Sequence, residues 1–506
     1  MLRRNVLANV LGGSWAALLA LVLIPVQVRI LGVEAYGLLA FLASTQVLFS
    51  IFDLGLSPTI TREVAKDTSA DLLRTRELVR SLSVLYWPIG IVLGTALFAG
   101  AGWLASHWLH LGSLPADRAE AAIRYGAVAI FLRWPVSLFS GVLAGRQRFD
   151  HLNALKAVVA TVSAAGGLAV LFVTRDLLAY MAWTAFAAGI EVGGYLAILA
   201  RAVPGLIGPP SVKMMFDRGV WQFAVGMGVI NLLSMVLTQS DRILISKFLP
   251  IEVLGYYALA YYIVYGLSLV QNLVTSAMFP TFVKFNAAQA LDDLRERYQT
   301  ATQAFMYVYN LPIWVLVFFG HEILSAITSR SAADHAAPIL AFLAIGFLFN
   351  AATALSYTAS IASGNTWLPI RVNLVAVAGY LPLLVVLTLR WGGAGAAAAW
   401  LVLNLYYLPT LLRSVHRKVL HIESLSWLGR NFLPFVGAGL LVFAGAKGIV
   451  LVVGFDDHLA LAIGLAGCLA YAVLGYVLLG VPLRRQIGES VTAARLGRGA
   501  IWSSRT

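Results

Sequence analysis

Apolar stretches of about twenty residues, each long enough to cross a hydrocarbon core of about 30 Å, recur from one end of this chain to the other. In lipid every backbone polar group must be bonded internally, so such stretches span either as helices or as strands of a closed barrel. Here they are continuously apolar and do not alternate with period two, which selects helices. Composition agrees. Of 506 residues, 60% are hydrophobic and 12% are charged, against a charged share of about 25% in soluble domains. A soluble multi-domain protein is excluded.

About fourteen transmembrane helices are predicted, near 8–30, 36–57, 80–103, 121–143, 157–174, 178–200, 219–245, 254–278, 301–325, 337–360, 371–389, 395–413, 432–453 and 458–481. The basic N-terminus followed by an apolar run reads as an uncleaved first helix, because the run is long enough to span and many more follow. With the N-terminus inside, 26 of the 36 Lys and Arg fall in cytoplasmic segments. That asymmetry predicts a multi-pass inner-membrane protein with both termini cytoplasmic, and it accounts for the net charge of +13. The charge therefore does not point to nucleic acid. The single cysteine, Cys468, lies in an apolar run and allows neither an intrachain disulfide nor a cysteine metal cluster.

A weak internal repeat lies at an offset of 218 residues: Leu31 matches Leu249, Glu34 matches Glu252, Gly37 matches Gly255, Ala40 matches Ala258, and Pro58-Thr59 falls near Pro280-Thr281. The matches sit six helices apart. An even number of helices per unit gives parallel repeats related by an axis along the membrane normal. The expected organisation is an all-α integral membrane protein with a six-helix lobe over 1–205, a second six-helix lobe over 206–425, two additional helices over 426–481 and a cytoplasmic tail over 482–506.

Charge inside a span is costly and rarely faces lipid, so it marks candidate function. Arg133 falls in the middle of helix four, Glu191 in helix six, Asp53 toward the cytoplasmic end of helix two, and Gln239, Asp241 and Arg242 in the outer part of helix seven. Arg29 and Lys247 occupy equivalent ends of the two repeats. One reading is a cationic cavity for an anionic group, with Arg133, Arg29, Asp241, Arg242 and Gln239 contacting substrate and Asp53 and Glu191 gating or coupling ions. Arginine suits this because its planar donors fit phosphate oxygens and its charge is permanent. The competing reading is internal neutralisation, for example of Arg133 by Glu191. Lys247 reads as a snorkelling interfacial residue. Gly90-x-x-x-Gly94 and Gly189-x-x-x-Gly193 are expected as close-packing seams. The tyrosines at 256, 257, 261, 262 and 265 could line a sugar path or form an interfacial belt. Phosphate-loop, metalloprotease and nucleophile-elbow motifs are absent, so no enzyme activity, metal or cofactor is expected.

Pro25-x-x-x-Arg29-x-Leu-Gly-x-Glu34-x-Tyr-Gly37, then Phe52-Asp53-x-Gly55-Leu56, then Ser240-Asp241-Arg242-x-x-Ile-x-Lys247-x-Leu and Leu254-Gly255-Tyr256-Tyr257 together resemble Wzx-type polysaccharide flippases of the multidrug/oligosaccharidyl-lipid/polysaccharide exporter superfamily. Pro250 stands where that family often has glycine. The resemblance implies a two-lobed fold whose central cavity is lined prominently by helices one and seven. It implies alternating access, with ion coupling expected, that moves undecaprenyl-pyrophosphate-linked oligosaccharide to the outer leaflet for surface polysaccharide such as lipopolysaccharide O-antigen. Membrane lipids, a polysaccharide polymerase and a chain-length regulator are the partners it implies. The alternatives are a lipid II flippase or drug/cation antiporter of the same superfamily, a membrane-embedded polysaccharide polymerase, and a non-transporting assembly scaffold. An antiporter for cations would want a predominantly acidic cavity, and a polymerase would be expected to have a sizeable extracytoplasmic loop.

Overall fold

The computed structural model describes residues 2–67, 72–205, 208–211, 217–365, 367–481 and 483–485. Nearly all of the expected tail over 482–506 lies outside them. Among the described residues there are helices and turns but no strand. In chain order the main helices are α1 (Leu2–Leu31), α2 (Val33–Phe49), α3 (Leu56–Lys66), α4 (Leu73–Ala99), α5 (Ala116–Arg133), α6 (Val136–Gly145), α7 (Phe149–Thr174), α8 (Leu177–Ala202), α9 (Arg218–Phe248), α10 (Ile251–Tyr265), α11 (Ser268–Ala287), α12 (Leu291–Ile327), α13 (Arg330–Ala362), α14 (Trp367–Tyr407), α15 (Ser424–Asn431), α16 (Leu433–Val453) and α17 (Asp457–Leu478).

Among the described residues twelve helical stretches are long and apolar enough to cross a membrane, and Leu18–Leu31 is a further apolar helix. The longest stretch, Trp367–Leu420, bends inside α14 at Gly392, whose φ of 60° is a left-handed conformation that glycine adopts without steric cost. Counted as two spans, and with α1 included, it brings the total to the expected fourteen or so. The short joint between α7 and α8 is also resolved in chemical terms. Arg175 takes a left-handed conformation that ends α7. The Asp176 carboxylate then accepts the Ala179 N–H at 2.9 Å and opens α8 as its N-cap. Asp217, Ser329 and Asp456 cap α9, α13 and α17 in the same way.

The chain forms two units. The first comprises Met1–Gly266 with Val377–Ala396, and the second Leu267–Ala376 with Ala397–Thr506. In the first unit α1 packs on α7, α5 on α8, α3 on α6 and α2 on α10. In the second, α12 packs along α13, and the pair α16–α17 lies against α12.

The α2–α10 contact gives the sequence repeat a physical meaning. A Cβ built on Gly37 would meet the Ile251 carbonyl oxygen at 2.1 Å, and one built on Gly255 would meet the Val33 carbonyl oxygen at 2.3 Å. Val33 and Ile251 are themselves 218 residues apart, so the contact is reciprocal between repeat-equivalent positions. Only glycine lets the two backbones come this close.

The two expected glycine seams have different outcomes. A Cβ at Gly90 would meet Trp134 Cδ1 at 2.5 Å, and one at Gly94 would meet Phe131 Cβ at 2.9 Å, so α4 and α5 do pack through these glycines. Around Gly189 and Gly193 nothing lies within 4 Å, and the motif there is not a seam. The close approach on α8 is at Gly194 instead, where Leu155 Cδ1 would stand 2.7 Å from a Cβ. Motif spacing puts glycines on one helical face but does not say whether a neighbour covers that face.

Candidate functional site

Arg133 ends α5 because Pro135, two residues on, cannot continue the hydrogen-bond ladder. Its Nε donates to Glu191 Oε2 on α8 at 3.0 Å. Internal neutralisation is therefore real. It uses only Nε, however, and the two terminal nitrogens of the guanidinium have no protein hydrogen bond among the described residues. Glu191 thus fixes the plane of the guanidinium while leaving its fork open.

Arg133 borders a cavity of about 460 Å³ inside the first unit, whose polar lining also includes Gln27, Tyr36, Gln46, Tyr180 and Tyr262. The volume is within the range of about 300–1,000 Å³ usual for ligand sites. Gln27 Nε2 donates to the Tyr180 hydroxyl at 2.5 Å, which ties α1 to α8 across one wall. The Tyr36 hydroxyl is buried without a hydrogen-bond partner. Arg242, Tyr180 and Tyr262 are close enough to this hydroxyl to act on it electrostatically.

Arg242 sits beside this cavity in α9, buried to 5% exposure. Its Nη1 donates to Gln239 Oε1 at 3.1 Å. Its guanidinium lies over the Tyr261 ring, 4.0 Å from the centroid, and 5.8 Å from that of Tyr262. Such stacking is worth about 2 kcal/mol or more when desolvated. Asp241 accepts the Arg242 backbone N–H at 2.8 Å and the Tyr257 hydroxyl. Arg242 Nε and Nη2 remain buried without partners. The same residue also borders an apolar cavity of about 400 Å³ with Phe41, Trp103, Trp108 and Ser246.

The sequence-derived candidates therefore separate into groups. Arg133 and Glu191 form one pair, and Gln239, Asp241 and Arg242 form a second cluster with the tyrosines of α10. Arg29 is exposed in the last turn of α1 and is not part of the cavity lining. Asp53 is buried, accepting the Ser57 N–H at 3.2 Å, the Ser57 hydroxyl at 2.7 Å and the Tyr86 hydroxyl. It thus meets the first turn of α3, which follows the left-handed turn at Leu54-Gly55. Lys247 donates to the His107 carbonyl oxygen at 3.3 Å and lies over the Trp108 ring. The tyrosine cluster divides by depth: Tyr256 and Tyr257 are buried, Tyr262 lines the cavity, and Tyr265 is half exposed and stacked on Tyr261.

Gln27, Gln46 and Tyr180 were not singled out in the sequence, and Tyr36 appeared there only inside the resemblance motif, not as a site residue. Their signal was present in weak form, as uncharged polar groups interrupting apolar spans. Such groups are too common in helix packing to be picked out without knowing which face is lined.

Comparison with known proteins agrees with this architecture. The sequence model of the "Polysaccharide biosynthesis protein" family matches residues 2–286. A protein of Shigella flexneri named "Putative O-antigen transporter" is 23% identical over 427 residues, covering 82% of this chain and 99% of that protein. Among solved structures, a lipid II flippase, MurJ, in an inward closed conformation superposes with a TM-score of 0.70 at 12% identity, over 92% of this chain and 97% of the other. An inward-facing multidrug resistance MATE family transporter of the MOP superfamily superposes with a TM-score of 0.61 at 12% identity, over 82% and 94% of the two chains. With its fold shared by these flippases and transporters and more than half its length matched by one family, this multi-pass membrane protein belongs to the polysaccharide biosynthesis protein family.

Proposed function

We propose that the chain is a flippase that carries undecaprenyl-pyrophosphate-linked oligosaccharide from the cytoplasmic to the outer leaflet of a bacterial inner membrane, for surface polysaccharide such as O-antigen. The observation that carries the reading is the membrane-embedded cavity of the first unit, where Glu191 holds Arg133 with its fork open. A planar pair of N–H donors in a low-dielectric site matches a pyrophosphate. Arg242, buried outside the lining but near Tyr262, adds positive potential to the same region. Among the described residues lining the cavity none is acidic, which favours an anionic over a cationic cargo and weighs against a drug/cation antiporter.

In this reading the lobes over 1–205 and 206–425 alternate access, and the polyprenyl tail stays in the lipid. Both termini are cytoplasmic, as the distribution of Lys and Arg implies. Glu191, paired with Arg133, is the carboxylate we assign to ion coupling. Asp53, engaged by Ser57 and Tyr86, serves as the joint between α2 and α3, where a gate would turn. A polysaccharide polymerase and a chain-length regulator are the partners that would take the product onward. The function is transport, with no catalytic residue or cofactor assigned.

The test is to delete the gene and analyse inner-leaflet lipids. Accumulation of a polyprenyl-pyrophosphate-linked glycan, reversed by the wild-type chain, is expected. Single repeat units left on the cell surface would instead identify a polymerase, and no accumulation of either kind would end the proposal.

A further inference from the structure

The second unit contains a cavity of a different chemical kind. It has a volume of about 370 Å³ and is lined by Gln271, Asn272, Asn350, Asn373, Tyr357 and Tyr407 together with threonines and two aliphatic residues. None of the described lining residues carries a charge. All lie within stretches long and apolar enough to span the membrane.

Such a concentration of amides is costly in a hydrocarbon setting unless the groups are paired or face a polar cavity. Part of it is pairing. Gln271 Nε2 donates to Asn350 Oδ1 at 3.1 Å, and Asn350 Nδ2 donates to Asn404 Oδ1 at 2.9 Å, which links α11, α13 and α14. Tyr407 donates to Asn373 Oδ1 at 3.0 Å. These bonds engage Gln271, Asn350, Asn404 and Asn373 but leave other polar atoms of the cavity open. Gln271 Oε1 is buried with no partner. Asn272 is exposed inside its span; its carbonyl oxygen accepts from the Thr275 hydroxyl at 3.2 Å, while its side-chain amide makes no hydrogen bond among the described residues. Tyr357 keeps 46% of its surface open while lining the cavity.

Unspent amide donors and acceptors beside tyrosine rings, without charge, suit one kind of group. A pyranose offers hydroxyls that both donate and accept, and it has an apolar face that packs on an aromatic ring. A phosphate would find no cation here, and an acyl chain would strand the amides. We propose that this cavity is a subsite for an uncharged pyranose unit of the glycan, distinct from the arginine-bearing cavity that takes the pyrophosphate. The inference rests on the reading of the cargo as a lipid-linked oligosaccharide. It assigns sugar recognition to the second unit and charge recognition to the first.

Two substitutions probe it with little structural risk, because each removes an open side chain: Asn272→Ala and Tyr357→Ala. Binding to the full-length purified protein is measured with two probes, the lipid-linked glycan extracted from cells lacking the chain and bare undecaprenyl pyrophosphate. The wild type is expected to bind the glycan-bearing lipid more tightly. Each substitution should weaken that binding by about fivefold to tenfold, as loss of one hydrogen bond or ring contact does, and leave the bare lipid unaffected. Tyr357→Phe, which keeps the ring, should retain most of the affinity. Equal weakening towards both lipids, or unchanged affinity for the glycan-bearing lipid, would overturn the subsite while leaving the flippase reading intact. A wild type that binds neither lipid would overturn both.

Discussion

The reciprocal contact of α2 with α10 makes a quantitative demand. Replacing Gly37 by alanine places a methyl carbon 2.1 Å from the Ile251 carbonyl oxygen and 3.1 Å from the Gly255 nitrogen. Ordinary carbon–oxygen contact needs about 3.3 Å or more, so the helices must separate by roughly 1 Å at this point. The obstacle is backbone on both sides, and no side-chain rotation relieves it. Overpacking of this kind costs about 1–3 kcal/mol, and the gain in helix propensity from Gly to Ala returns only about 1 kcal/mol. Gly255→Ala should behave alike, because its Cβ meets the Val33 carbonyl oxygen at 2.3 Å. One separation of the helices accommodates both methyls, so the double substitution should cost clearly less than the sum of the singles. Gly189→Ala is the control, since nothing lies within 4 Å of its Cβ. The assay is the thermal unfolding midpoint of purified protein in one detergent at one scan rate, which keeps irreversible unfolding comparable between variants. Gly37→Ala and Gly255→Ala should be lowered and Gly189→Ala unchanged or raised. Strict additivity, or a Gly37→Ala protein as stable as the control, would refute the reciprocal packing.

Other outcomes follow from the charged groups. Arg133→Ala should abolish surface-glycan export from a well-inserted protein, and Arg133→Lys should rescue it poorly, because an ammonium lacks the planar fork; normal export would count against the cationic site. Glu191→Gln should disturb transport less than Arg133→Ala if Glu191 only orients the guanidinium, and should abolish ion dependence of flipping in vesicles if it also couples an ion. In the second unit, Glu322 of α12 and Lys447 of α16 form a largely buried pair. Glu322→Leu alone should lower stability by about 3 kcal/mol, and the double Glu322→Leu/Lys447→Met variant should recover most of it; equal losses in the single and the double would refute a stranded Lys447 charge as the source of the cost. Asp53→Ala removes the acceptor of the Ser57 and Tyr86 hydroxyls, leaving Tyr86 only its bond to Ser137, and should cost about 1–3 kcal/mol, read by the same unfolding midpoint, whereas Asp53→Asn should cost less.

Legibility in the sequence followed the range of the physics involved. Span length and apolar continuity are local properties, and they fixed an all-helical membrane protein of about fourteen crossings before any contact was known. The residues Arg133, Glu191, Asp241 and Arg242 were visible for a similar reason. A charge inside a span is conspicuous wherever the helix is placed. Gln27, Tyr36 and Tyr180 gave no comparable signal, because an uncharged polar group acquires meaning only from what it faces.

The pairing of Arg133 with Glu191 was one of two open readings, and sequence could not choose between them. The choice depended on whether α5 and α8 pack side by side, which tertiary structure alone decides. The pair uses one guanidinium nitrogen and leaves two, so internal neutralisation does not by itself rule out the other reading. Glycine motifs make the same point. Gly90-x-x-x-Gly94 and Gly189-x-x-x-Gly193 are equivalent as spacing, yet only the first is covered by a neighbour. The repeat at Gly37 and Gly255 could be counted from sequence, but the reciprocal contact between its copies could not. By itself the sequence determined what each segment is, because solvation in lipid acts residue by residue. Which segments touch, and which polar groups are left open to a ligand, was decided by packing between helices far apart in the chain.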